Sequence, residues 1–261
     1  MNIKLYSYYD HFPNHKPVAN EPCVEMYNDE FVTKATEGSC ALLIEPRSIY
    51  PKAYEYVEHN YKQFKYVFTH DSQLLKKCDN AKLILWGWGN ANYMSFSEVP
   101  KTKNISIVSS DKELCELHKA RKELAVLYDG WGIVDCYGTF NGGKFAEVED
   151  YMKDYRYSII IENYIDDYWF TEKILNCFAN KVVPIYVGAK KIGQFFNNKS
   201  ILSYDNIDGV KDCVRVLQGN YGPYWYKSRL SAIEDNYNRV KLFPAFEDWF
   251  YGKYGELLNE Y

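Results

Sequence analysis

Short apolar runs alternate with longer segments of helical periodicity along the chain. In the first hundred residues the apolar runs NIKLYSY, CALLIEP, Lys65–His70 and LILWGWG predict strands. Between the second and third of these runs, Ile49–Phe64 predicts a helix. Alternation of strands and helices is typical of parallel α/β sheets.

A second series of the same kind follows, after a polar stretch at Ser97–Asn104 that contains a proline. Its predicted strands are ISIVSS, GIVDCYG, YSIIIEN, VVPIYVG and ILSYDN, and its predicted helices are Asp111–Tyr128, Gly143–Tyr155, Thr171–Lys181 and Ala189–Phe196. The two series predict two Rossmann-like domains, over residues 1–100 and 101–240. We expect a terminal helix over residues 241–261 to pack back across the domains.

Composition narrows the class of protein. A net charge of −4 provides no general attraction to nucleic acid or to an anionic membrane. No apolar run approaches the roughly 20 residues that span a bilayer, and the start MNIKLYSYYDHF lacks the apolar stretch of a signal peptide. Seven cysteines are scattered singly with no CxxC pair, which favours reduced core thiols over a disulfide or zinc framework. These features predict a soluble cytoplasmic protein.

A polar stretch follows the apolar run that ends at Ile161. Glu162 and Asn163 come directly after the predicted strand, at the carboxyl edge where ligands bind in open α/β sheets. Thr171 is a good N-cap, and it places Glu172 and Lys173 in the first helical turn. Free N–H groups at a helix start favour an anion, and a lysine there opposes the helix dipole unless a phosphate neutralises it. The alternative is a solvated lysine at a helix end.

An arginine lies on the apolar stripe of the preceding long helix. Arg121 comes four residues after Leu117 and three before Leu124. It could extend from the edge of the stripe to water, or pair with a carboxylate in the core. It could also direct its planar guanidinium at a phosphate.

The segment Tyr155–Asn206 resembles the signature region of the α1,3-fucosyltransferases, glycosyltransferase family 10. The shared features are a buried strand followed by Glu162-Asn163, a short loop with an aromatic residue, Thr171-Glu172-Lys173, Val183–Gly188 and the FNNKS pattern at Phe196–Ser200. The arginine helix and the VDCYG strand also resemble this family, so that the similarity covers roughly residues 105–208. The combination is far more specific than a single short motif.

The resemblance implies an α/β fold of the GT-B type, with two Rossmann-like domains facing a central cleft. It implies an inverting transfer of fucose from GDP-fucose to a hydroxyl of a glycan acceptor, with an α1,3 linkage. Arg121 and Lys173 would hold the diphosphate, and Asn163 and Glu172 the nucleotide and its ribose. The remaining donor-binding positions that the resemblance implies are Ser110, Tyr168, Trp169 and Thr171. Trp169 stands where the family usually has tyrosine, and either Trp169 or Tyr168 could stack on the sugar.

Inverting transfer also needs a base that takes the proton of the acceptor hydroxyl. Glu45 in CALLIEPRSIYP is the candidate, because the apolar Leu42–Ile44 places it at the carboxyl end of a strand. It could instead pair with Arg47 or a lysine. His70 and Asp71 after the third strand are alternatives, although Asp71 could equally cap the helix that follows.

The sequence contains no convincing cluster of metal ligands. We interpret Asp166-Asp167 as a solvated acid pair and expect activity without a metal or cofactor. LILWGWGN at Leu83–Asn90 could form an aromatic platform for an acceptor sugar or contribute indoles to the core.

The alternative functions are a transferase of the same fold with another nucleotide sugar, and an inactive nucleotide- or glycan-binding protein. The retention of Arg121, Asn163, Glu172 and Lys173 argues against the inactive protein.

Overall fold

The computed structural model describes residues 2–18, 21–87, 96–219, 221–243 and 245–259. The chain divides into two compact units. Unit 1 is Met1–Asn92, Asp166–Trp169 and Pro244–Tyr261, and unit 2 is Tyr93–Ile165 and Phe170–Phe243.

Unit 1 contains a parallel five-stranded sheet in the order β1-β2-β3-β4-β5. The strands are β1 (Asn2–Tyr6), β2 (Cys23–Asn28), β3 (Cys40–Leu43), β4 (Tyr66–Thr69) and β5 (Ala81–Leu83), and the helices are α1 (Pro51–Asn60), α2 (Ser72–Lys77) and α9 (Phe246–Asn259). The apolar runs correctly predict β1, β3 and β4, whereas the run LILWGWG begins at Leu83, the last residue of β5. They do not predict β2, whose apolar residues are interrupted by Glu25. That carboxylate is bonded at the surface by Lys4, Tyr6 and Thr36.

Helix α9 completes the core on one face of this sheet. Its residues Phe246, Phe250 and Leu258 are buried in one cluster with Ile3 and Phe68 from the strands. The apolar side chains of these strands would otherwise contact water on that face. The terminal helix is therefore part of the N-terminal unit's core.

Unit 2 contains a second parallel five-stranded sheet, in the order β10-β9-β8-β6-β7. Its strands are β6 (Lys103–Val108), β7 (Asp135–Tyr137), β8 (Tyr155–Ile161), β9 (Val183–Val187) and β10 (Leu202–Ser203). Its helices are α3 (Glu116–Trp131), α4 (Val148–Met152), α5 (Glu172–Ala179), α6 (Ile207–Leu217), α7 (Tyr221–Lys227) and α8 (Leu230–Val240). β8 is central and buried along most of its length, as its apolar run predicts.

The helix predicted over Ala189–Phe196 is wrong. The structure has only a short 3-10 turn at Ile192–Gln194. The side chain of Asn198 packs where a Cβ on Gly193 would lie, so the chain turns tightly around a residue without a side chain. The long helix predicted from Asp111 begins only at Glu116.

All seven cysteines are free thiols, as their scattered positions predict. Among the described residues, no helix combines the length and apolar character needed to cross a membrane.

Candidate functional site

The carboxyl end of β8 carries a buried carboxylate that organises the start of α5. Glu162 is 0% exposed, and its oxygens accept hydrogen bonds from the backbone N–H of Thr171 and from its hydroxyl, both at 2.9 Å. Lys173 Nζ lies 3.6 Å from Oε2 of the same carboxylate. Burial raises the pKa of Glu162, although Lys173 and Thr171 oppose the change. Glu162 therefore links the end of the central strand to the first turn of the helix.

Thr171 caps α5 as predicted, with its hydroxyl accepting from the backbone N–H of Lys173. Lys173 Nζ lies 3.0 Å from that hydroxyl and 3.5 Å from a carboxylate oxygen of Glu172. Burial lowers the pKa of Lys173, but Glu172 and Glu162 outweigh this and raise it above its ordinary value. The lysine therefore stays charged, and its side chain is 28% exposed, so one side remains open to a ligand.

Helix α3 contributes a second cation, Arg121, to the same strand end. Arg121 is 7% exposed, and its Nη1 donates a 2.8 Å hydrogen bond to the carbonyl oxygen of Ile161. Its buried Nε has no hydrogen-bond partner among the described residues. Arg121 is therefore a core arginine at the carboxyl edge of β8, not a solvated residue at the edge of a stripe.

Two further predicted positions lie at the carboxyl ends of neighbouring strands. The carbonyl oxygen of Asn163 accepts a bond of 3.3 Å from the thiol of Cys115, the residue that precedes α3. Ser110 follows β6 and is partly exposed, with its hydroxyl accepting from the backbone N–H of Lys112. The structure thus brings the loops after β6 and β8 to one edge of the sheet.

Sequence reasoning missed two residues at this edge. The sequence pattern places Glu162 after a strand without predicting its burial, although an acid that directly follows a fully apolar run signals a buried carboxylate in need of partners. His118, in the first turn of α3 and one turn before Arg121, carries no signal in the sequence that predicts its place at this edge. It is 8% exposed.

The loop residues Asp166–Trp169 belong to unit 1. Asp166 is buried, and it accepts hydrogen bonds from the backbone N–H of Ser72 at 2.8 Å and from the hydroxyl of Ser72. The interpretation of Asp166 as a solvated acid is therefore wrong, because the carboxylate holds the start of α2. Trp169 is 1% exposed with its ring centroid 4.4 Å from that of His70, and Tyr168 is partly exposed.

The candidate base Glu45 follows β3 and is partly exposed. The backbone N–H groups of Ile44 and Glu45 both donate to the carboxylate of Asp29, at 2.8 and 3.2 Å. Asp29 is 6% exposed and has a left-handed φ of 45°, a costly conformation for a residue with a side chain. Burial is the main reason that the pKa of Asp29 lies well above its ordinary value, and Glu45 adds to the effect.

The alternative bases have other roles in the structure. Asp71 caps α2 by accepting from two backbone N–H groups, and it forms an ion pair with Arg47. His70 is fully buried beside the hydroxyl of Tyr54, and burial lowers the pKa of His70 to about 4. Arg47 also pairs with Glu58.

Within the part of the chain that the structure describes, no group of three histidine, cysteine or acidic side chains could hold a metal ion. The LILWGWGN segment is described only in part. Trp86 packs against Phe246 and His11, whereas Trp88–Asn90 lie outside the described residues.

The two parallel sheets form an α/β fold of the GT-B type, and the central strand of the second sheet has two cations at its carboxyl end. Solved structures support this fold. A crystal structure of an α1,3-fucosyltransferase with GDP matches with a TM-score of 0.54 at 14% identity, over 87% of this chain and 83% of that one. The structure of TarM matches with a TM-score of 0.53 at 12% identity, over 91% of this chain and 55% of that one.

Sequence comparison supports the same family. Residues 99–223 match the C-terminal region of glycosyltransferase family 10 (fucosyltransferase), which confirms the predicted resemblance. The α-(1,3)-fucosyltransferase FucT of Helicobacter pylori is 23% identical over 99 residues. That alignment covers 36% of this chain and 21% of the relative.

Proposed function

We propose that the protein is an inverting fucosyltransferase that moves fucose from GDP-fucose to a hydroxyl of a glycan acceptor, with an α1,3 linkage. The observation that carries this proposal is the convergence of Arg121 and Lys173 beside Glu162, within the segment that matches family 10. Two cations from different helices, together with the N-terminus of α5, are suited to a diphosphate.

The donor-binding roles are those that the resemblance to family 10 implies, and each suits the chemistry of its side chain. Arg121 and Lys173 bind the diphosphate, and the carboxylate of Glu172 accepts hydrogen bonds from ribose hydroxyls. Asn163 recognises the nucleotide, and the partly exposed Tyr168 is better placed than the buried Trp169 to contact the sugar. Thr171 and Glu162 act indirectly, by holding the first turn of α5.

Glu45 is the proposed general base. As the acceptor oxygen attacks the anomeric carbon of fucose, its proton passes to the Glu45 carboxylate. The bond from that carbon to the diphosphate oxygen breaks on the opposite face, and its electron pair leaves with GDP. Arg121 and Lys173 stabilise the negative charge that develops there. No step requires a metal or a cofactor.

A thermal-shift experiment tests the donor. A ligand that binds only the folded state stabilises it by about 2.7 kcal/mol at a hundredfold excess over its Kd, so GDP and GDP-fucose should raise the melting temperature. UDP and UDP-sugars should not. Stabilisation by UDP-sugars alone would show that the protein uses another donor.

A further inference from the structure

His118 occupies a position that the protein fold alone does not explain. It lies in the first turn of α3, it is 8% exposed, and no described group bonds its Nδ1. A buried polar nitrogen without a partner has lost its hydrogen bond to water and gained none in the protein, which destabilises the fold. Such a group in a native structure calls for a ligand, a water molecule or a functional reason.

The charges that act on this imidazole are all positive. They come from Arg121 on its own helix, Lys173 on α5 and Lys112 in the loop between β6 and α3. Burial is the largest cause that lowers the pKa of His118, to about 4, and these three cations lower it further. His118 is therefore neutral near pH 7 in the unliganded protein.

We propose that His118 is a third diphosphate-binding residue, which takes up a proton when the nucleotide sugar binds. The inference rests on the proposed function, because it needs a diphosphate between Arg121 and Lys173. The negative charge of that diphosphate would offset the three cations, and one phosphate oxygen would accept from Nδ1. Each change favours the protonated imidazole.

The sign of the pH dependence follows from linkage. A group whose pKa is higher in the complex than in the free protein strengthens binding at low pH, and this gain is lost as the pH rises through the pKa of the complex. Between the two pKa values, the affinity should fall by up to about tenfold per pH unit, the limit for one proton. If His118 does not take up a proton, this contribution to the pH dependence of the affinity is absent.

The test is calorimetry of GDP-fucose binding to the full chain at pH 6.0, in MES and in Bis-tris, two buffers with different ionisation enthalpies. GDP-fucose is a better probe than GDP, because its diphosphate has no terminal phosphate that titrates near this pH. The dependence of the heat on the buffer counts the protons taken up. We expect about half to one proton per GDP-fucose bound to the wild type.

Two variants test whether the proton taken up on binding goes to His118. His118→Asn can donate a hydrogen bond but cannot gain a proton, so it should bind GDP-fucose with no dependence on the buffer. His59→Asn changes an exposed histidine on α1 and should behave as wild type. Circular dichroism checks the fold of both, and if His118→Asn fails to fold, an imidazole NMR titration of the wild type replaces it.

The possible results separate this inference from the proposed function. Binding without proton uptake, or uptake that persists in His118→Asn, would overturn the role of His118 and leave the donor assignment intact. An imidazole of His118 that stays neutral in the complex at pH 6.0 would do the same. A complete absence of GDP-fucose binding would overturn both.

Discussion

Replacing Lys173 by methionine should lower the affinity for GDP and the stability of the fold by separable amounts. Methionine keeps most of the length of the side chain but removes its charge. A hydrogen bond to a charged group is worth about 1.5–3 kcal/mol, so the Kd for GDP should rise by about 10- to 150-fold.

The stability of the fold falls in this variant because the buried carboxylate of Glu162 remains without the lysine. The carboxylate is 0% exposed and loses its ion-pair partner in the Lys173→Met variant. Removing one partner of a buried pair costs about 3–5 kcal/mol. The 3.6 Å separation and the two hydrogen bonds that Thr171 still donates reduce this cost, and we expect about 1–3 kcal/mol.

A double variant separates the two effects. With Glu162→Gln added to Lys173→Met, the buried carboxylate that lacks its lysine is gone, so part of the lost stability should return while the affinity for GDP stays low. The return is partial because the buried Arg121 also loses the nearby negative charge of Glu162. Lys227→Ala, at an exposed lysine of the same unit, is the matched control.

GDP calorimetry and urea denaturation measure the two quantities. Wild-type affinity in Lys173→Met would refute the contact with the diphosphate. Recovery of affinity in the double variant would show that the loss came from a disordered α5 and not from the missing cation.

Three further predictions concern the general base Glu45, the carboxylate of Asp29 that bonds its backbone, and activity without a metal. Glu45→Gln should bind GDP as wild type, while release of GDP from GDP-fucose in the presence of an oligosaccharide acceptor panel falls by about 10²–10⁴-fold; a normal rate would show that the base lies elsewhere. The pKa of Asp29 is raised in the fold, so its ionisation costs stability as the pH rises above the ordinary carboxyl value. Melting temperatures from pH 4.5 to 8 should therefore decline less in Asp29→Asn than in wild type, and parallel curves would contradict this. Transfer should survive EDTA, and loss of activity that manganese or magnesium restores would disprove metal independence.

The central segment of unit 2 was the most predictable part of the chain. An uninterrupted apolar run, a good N-cap at Thr171 and an amphipathic helix all depend on local sequence, and the structure has β8 and α5 where these signals predict them. The place of Arg121 on an apolar stripe allowed either burial or extension to water, and the structure shows that it is buried.

Features that depend on distant partners could not be predicted. β2 carries a charged residue whose partners come from other segments of unit 1, which breaks the apolar pattern. Asp166 resembles a solvated acid until Ser72, far away in sequence, supplies its hydrogen bonds. The left-handed Asp29 could not be predicted either, because the backbone N–H groups that bond its carboxylate come from Ile44 and Glu45, on another strand's end.

The place of α9 in the core of unit 1 affects the order of folding during synthesis. Strands β1–β5 leave the ribosome first, but Phe246 and Phe250, which cover one face of their sheet, follow all of unit 2 in the chain. Unit 2 is continuous in sequence except for Asp166–Trp169, which belong to unit 1. It can therefore form its core while the first sheet still has an uncovered apolar face. An exposed apolar sheet is prone to aggregate in a nascent chain. We therefore expect truncation before α9 to leave the first-made half unable to complete its fold, although the sequence of all five of its strands is intact.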